Sequence, residues 1–263
     1  MKPLIKSGIV LLTTLASVSC FPDPKPPEPI SGSADFSRPV IIAGSWGAGF
    51  MDGALYPAGQ INGLGGQILQ QISEVPGTAV YLPWKIAASE GIGFNSRPRI
   101  EQFQSRGHLI ESLDCRDESG LSVSRNYMVL DSVIPDLSHQ TGVIASNLSI
   151  PWSDLGDWDE SSFGIPFPSG GKNPFYPIVA SNPGASSMIS DAMALNPTFF
   201  VMWPGFESVL RFAASGATGE FSGDPAAFSV ALDSLLNEFD KRGAKGVLAT
   251  IPDPATFPFF TTI

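Results

Sequence analysis

The chain alternates short, almost fully apolar runs with longer amphipathic stretches. Residues 40–43 (Val-Ile-Ile-Ala) form the first apolar run and predict a buried parallel strand. Residues 62–73 follow, with Leu64, Ile68, Leu69 and Ile72 at helical spacing, although Gly63, Gly65 and Gly66 weaken the start. Residues 76–140 are broken by Gly, Ser and Pro without a strong period, which predicts loops and short strands. Residues 142–151 predict a strand and its exit turn, 186–195 a helix, and 197–203 a strand apolar at nearly every position. The clearest amphipathic helix covers 224–242. Phe228, Ala231, Leu232, Leu235, Leu236 and Phe239 share one face, Asp224 is the N-cap, Pro225 stands in the first turn and Gly243 marks the end. Residues 246–251 predict a further core strand. This alternation predicts a doubly wound, three-layer α/β/α sandwich with a mainly parallel sheet. No internal repeat is present.

Composition narrows the class. With 263 residues, 43% of them hydrophobic and 15% charged, the chain suits one large globular α/β domain. The formal charge of −10, from 15 basic and 25 acidic residues, argues against a nucleic-acid partner. Glycine (27) and proline (24) are abundant enough to predict many ordered loops.

The first residues read as targeting. Lys2 and Lys6 precede an apolar stretch at 8–16, too short for a permanent membrane span, and Ser17-Val-Ser-Cys20 follows. Small residues directly before a cysteine resemble the lipobox of bacterial lipoproteins, with Ser17 in place of the usual aliphatic residue. The alternative is ordinary signal cleavage nearby. The Pro-rich run at 21–29 reads as an extended, semi-rigid tether. The expected organisation is a signal at 1–19, a tether at 20–38 and a domain at 39–263, with Cys20 lipidated and the protein held on the bacterial cell envelope. Acylation of Cys20 would leave Cys115 alone, so no intrachain disulfide is expected.

Candidate chemistry begins where the first strand ends, at Ala43-Gly44-Ser45. A serine at the carboxyl end of a parallel strand faces the ligand crevice of an open α/β sheet. This block, running on through Ala48-Gly-Phe-Met-Asp-Gly-Ala-Leu-Tyr56, resembles the first motif of the SGNH (GDSL) ester hydrolases. So do Asn173-Pro-Phe-Tyr176, Ser181-Asn-Pro-Gly184, Leu195-Asn-Pro-Thr-Phe-Phe200 and Gly243-Ala-Lys-Gly-Val-Leu-Ala-Thr-Ile-Pro252, which resemble a branch of lipoproteins common in Bacteroidetes-type bacteria.

The resemblance implies a lipase- or esterase-type fold with Ser45 as the catalytic nucleophile. Gly44 then stands where the family has aspartate. Trp152 stands at a glycine whose amide would meet the oxyanion. In Gly205-Phe-Glu-Ser208, Glu207 replaces the oxyanion-site asparagine. The family's Asp-x-x-His block has no counterpart, since the two histidines are His108 and His139. On the same resemblance the domain is expected to be shortened at its C-terminus. Without a base a serine hydroxyl is a poor nucleophile, so weak or absent hydrolysis is expected of this chain.

Plainer readings stand beside these. Ser45 is alternatively a turn or capping serine, Glu207 a capping or solvent-facing residue, and His108 a surface-loop residue. The acidic group Asp154, Asp157, Asp159 and Glu160 fits a calcium site less well than a solvated loop. Trp46, Trp84, Trp152, Trp158 and Trp203 suit either a pocket or a core. No cofactor or metal is implied. The expected partners are a small-molecule ester or glycan ligand and, through the anchor, a membrane. Three functions compete: an ester hydrolase, a silent relative that binds an acyl or glycan ligand, and the product of a truncated gene.

Overall fold

Three parallel strands organise the molecule: β1 (Pro39–Ile42), β7 (Phe199–Met202) and β8 (Lys245–Leu248), in spatial order β1-β7-β8. Ile41 lies opposite Val201, which lies opposite Val247. The computed structural model describes residues 27–81, 85–94, 103–124, 136–167, 169–218 and 223–261. Contacts divide the chain into residues 1–30 and 31–263, and all elements named here belong to the second unit. The predicted signal, Cys20 and Trp84 lie outside the described residues.

The strand expected within 142–151 is an extended segment joined to β1 by one isolated bridge, Ile41 to Asn147. The Ile41 N–H donates to the Ser146 carbonyl (2.8 Å), and the Leu148 and Ile150 N–H groups donate to the carbonyls of Ile41 (2.8 Å) and Ala43 (3.1 Å). Main-chain pairing thus aligns Ile150 with the end of β1, and it delivers the next turn to Ser45.

The helices expected at 62–73, 186–195 and 224–242 are present with trimmed ends, beside others that the sequence pattern does not announce. After α1 (Ser45–Ala48), the strand β2 (Ala54–Leu55) and α2 (Pro57–Asn62), Gly63 separates α2 from α3 (Leu64–Ser73). Further along come α4 (Leu155–Trp158), α5 (Tyr176–Val179), α6 (Met188–Ala194), α7 (Phe206–Ala214), α8 (Pro225–Asp240) and α9 (Pro258–Thr261). Asp224 caps α8 by accepting the Ala226 N–H at 3.0 Å. Alternate strand residues face two separate apolar clusters. Ile41 and Val201 pack with Leu69 of α3, whereas Val40, Ile42, Phe200 and Met202 join Met188, Ala192, Leu235 and Phe239 from α6 and α8.

One expectation needs correction. The strand at 245–248 is not a core strand: it pairs with β7 at one end of the sheet, and all four of its residues are exposed, Val247 among them. The region 76–140 contains loops and short strands as expected, and two small antiparallel sheets take shape around it. One orders β2, β3 (Ile92–Phe94) and β4 (Phe103–Gln104); the other is a hairpin of β5 (His108–Leu113) and β6 (Ser119–Ser124). Residues 82–84, 95–102 and 125–135 of that region lie outside the described residues.

Candidate functional site

Ser45 opens α1 immediately after β1 and is buried. The helix lasts one turn, ended by Gly49 in the left-handed conformation (φ 78°). Two segments converge on Ser45 from the carboxyl ends of neighbouring chains in the sheet. One is the turn after Ile150, the other the start of α7 after β7.

The first brings Trp152, whose backbone N–H donates to Ser45 Oγ at 3.2 Å. Trp152 has φ 65°, the left-handed region where a side chain is disfavoured, so the residue holds the turn against a conformational cost. Its ring packs edge-on against Phe50, with centroids 6.1 Å apart. Asn173 secures the turn from behind. Its Nδ2 donates to the Pro151 carbonyl (2.8 Å) while its Oδ1 accepts the Phe175 N–H (2.8 Å).

The second segment brings Glu207, 7% exposed, in the first turn of α7. Its carboxylate accepts the Ser45 N–H. Burial disfavours the charged form and raises the Glu207 pKa above the ordinary glutamate value; the hydrogen bonds from Ser45 and the positive charge of Arg211 act in the opposite direction. Gly44 makes the approach possible, since a Cβ there would collide with Cγ and the carboxylate of Glu207.

Asp154 locks the two segments together. Oδ1 accepts N–H groups from Leu155 (2.8 Å) and Gly205 (2.9 Å), and Oδ2 accepts the Ser208 N–H (2.8 Å) and the Ser208 hydroxyl. The α7 N-terminus has no side-chain cap from its own Gly205, so a carboxylate from a distant loop satisfies it. In sequence Asp154 reads as part of a solvated acidic loop. The structure buries it and spends its acceptors on four donors, the capping-box pattern Asp154…Asp157 being the one visible sign of its role. Asp157 belongs to that box, Asp159 accepts the Ser187 hydroxyl (3.4 Å), and Glu160 pairs with Lys172 (3.1 Å). Among the described residues no group of three or more His, Cys, Asp or Glu is arranged to hold a metal ion.

Ser45, Trp152, Gly205 and Glu207 are therefore brought together, and the histidines are not brought to them. His108 lies on β5, a strand rather than a loop, with Nε2 2.7 Å from the Glu90 carboxylate. The Nε2 of His139 is 2.9 Å from the Ala180 carbonyl. Glu207 does not face solvent, and its chain-distant partner is visible only when the two motifs are read together. Of the tryptophans, Trp158 is core, whereas Trp46 packs against Phe206 with the rings tilted (centroids 4.2 Å) beside the site.

A cavity of about 620 Å³ opens on the other side of Gly205, with Leu155, Val209, Phe228, Ala231 and Ile251 as apolar walls. Asp154 and Ser208 border it, but Ser45 and Glu207 do not. The geometry offers a serine hydroxyl touched by one amide donor, a second amide already engaged by a carboxylate, and an adjoining apolar chamber. No protein-family model matches this chain, and neither the curated proteins nor the solved structures contain a match to it.

Proposed function

We propose that residues 39–263 form an SGNH (GDSL)-type serine ester hydrolase domain whose catalytic serine is held closed by Glu207. On this reading the parallel sheet is the centre of a three-layer α/β/α sandwich, supported by the separate clusters formed with α3 and with α6 and α8. Ser45 is the nucleophile position, and Trp152, Gly205 and Glu207 stand at the oxyanion site.

One observation carries the reading: the Ser45 N–H donates to the Glu207 carboxylate. In acyl transfer that amide must stabilise a developing oxyanion. A Glu207 oxygen already bound there fills the donor, and in its ionised form the carboxyl also opposes a second negative charge. Loss of one such donor costs about 10²–10³ in rate, and Ser45 also has no imidazole hydrogen-bonded to it. The test is turnover of activated short-chain esters by the purified chain and by Ser45→Ala. Equal rates support the closed-site reading; turnover dependent on Ser45 opposes it.

The cavity beside Gly205 favours a second reading, a silent relative that binds an acyl or glycan ligand. Its volume of about 620 Å³ falls within the range of roughly 300–1,000 Å³ typical of small-molecule sites, and its lining joins apolar walls to Asp157, Arg211 and Asp224, so both ligand classes remain open to it. The same proposal places the protein on the bacterial envelope through acylated Cys20, with no nucleic-acid partner. Among the described residues no helix is long and apolar enough to cross a membrane. Detergent-phase partitioning that is lost in Cys20→Ser is the expected result for the anchor; unchanged partitioning contradicts it.

A further inference from the structure

The β5–β6 hairpin presents an apolar face to solvent. Its register pairs Leu109 with Val123, Glu111 with Leu121 and Leu113 with Ser119, so these six side chains share one face. Leu109, Leu113, Leu121 and Val123 are 67%, 65%, 73% and 60% exposed. The opposite face carries Ser112, Ser122 and Ser124 with His108, Gly120 and the half-exposed Ile110, and Ser112 Oγ donates across the strands to Ser122 Oγ at 2.7 Å. Antiparallel sheets ordinarily turn the apolar face inward and the polar face to water. Among the described residues nothing covers this apolar face.

We propose that this face rests on a zwitterionic lipid surface. Area argues against a second copy as the occupant. Six residues at about 3.3 Å make the hairpin roughly 20 Å long, and two strands make it about 10 Å wide. Apposing two such faces would bury only about 400 Å², far below the roughly 1,200 Å² of a stable specific interface. A lipid surface needs no matching partner area, and a protein already anchored needs only an auxiliary contact. That part rests on the proposed lipidation of Cys20, from which the tether of residues 20–38 would reach at most about 60 Å in extended form.

Charge selects the kind of lipid. The hairpin carries Glu111, Asp114, Asp117 and Glu118 against Arg116, and Arg116 is engaged by Asp114 (2.9 Å) and Glu118 (3.4 Å). At its base His108 is engaged by Glu90. No free cation remains among the described residues of the hairpin to attract anionic headgroups. The single charge on the apolar face, Glu111, accepts the Ser119 hydroxyl at 2.7 Å.

The test places an environment-sensitive fluorophore at Ser119→Cys on the apolar face, or at Ser112→Cys on the serine face, each with Cys115→Ser. Each is prepared both as the anchored chain and with Cys20→Ser, and read with phosphatidylcholine vesicles up to millimolar lipid. The expected result is a blue shift and quenching by acyl-chain quenchers at 119 and a solvent-like signal at 112. The 119 signal should fall when phosphatidylglycerol is added, and Leu109→Ser with Leu121→Ser should weaken the unanchored chain's apparent affinity at least about tenfold. Flotation of the parent but not of Cys20→Ser reports the anchor separately, so either idea can fail alone. A solvent-like signal at 119 in both forms overturns the proposal. So does a shift at 119 without vesicles that grows with protein concentration, which would assign the face to a second copy.

Discussion

The Glu207 side chain fills the space that a side chain on Gly44 would need. A Cβ built on Gly44 would overlap Cγ and the carboxylate of Glu207, whose oxygen also takes the Ser45 N–H. The absence of a side chain just after β1 and the presence of a long acid at the start of α7 are one arrangement, made across 163 positions of sequence. Gly44→Ala should therefore destabilise the fold by about 1–3 kcal/mol through overpacking. Combined with Glu207→Ala, the loss should be less than additive by at least about 1 kcal/mol in a denaturation-based double-mutant cycle. Strict additivity would mean that the two residues do not share this space.

The buried carboxylate also sets a pH dependence. Because burial raises the folded pKa of Glu207, folding favours its protonated form. The associated stability is present below the ordinary glutamate value and is lost as pH rises through the folded pKa. Urea denaturation between about pH 4 and pH 8 should show Glu207→Gln gaining on the parent as pH increases, since glutamine accepts the Ser45 N–H without ionising. A difference that stays flat or reverses would contradict the assignment.

Asp154 is the latch of the site. Asp154→Ala strips acceptors from Leu155, Gly205 and Ser208 together and removes the charge at the α7 N-terminus. The expected cost is about 2–4 kcal/mol, larger than for the exposed helix cap Asp224→Ala at about 1 kcal/mol. Thermal unfolding of the two variants under one buffer checks the order.

Trp152 tests the turn that delivers its amide to Ser45. Its left-handed conformation penalises any side chain by roughly 1–2 kcal/mol. Both Trp152→Gly and Trp152→Ala lose the contact with Phe50, so glycine should be the more stable by about 1 kcal/mol, the reverse of the usual order. Alanine more stable than glycine would refute the strained turn.

Much of this was readable from residues alone, for local reasons. The strand at 40–43 and the helix from Asp224 to Gly243 are announced by unbroken apolar character and by capping chemistry, so their positions follow from neighbours in sequence. Ser45, Trp152 and Glu207, each singled out from sequence, are joined by hydrogen bonds to Ser45. What escaped is set by contacts distant in sequence. Asp154 looks like one of four surface acids until α7 arrives to use its oxygens, and Glu207 looks like an ordinary first-turn acid until Gly44 is seen to admit it. Val247 reads as core from its residue type, yet it is exposed, because burial is set by what packs over a strand and not by the strand's own residues. The hairpin escaped because the alternation in β5 and β6 does not say which face meets solvent.

The central claim is that Ser45 occupies a hydrolase nucleophile position closed by Glu207 and unserved by either histidine. Turnover of an activated short-chain ester by the purified chain, measured beside Ser45→Ala, tests it most directly. The account predicts the same near-background rate for both proteins. A clear rate in the parent that disappears in Ser45→Ala would contradict it, and would mean that His108, His139 or Glu207 itself takes the serine proton.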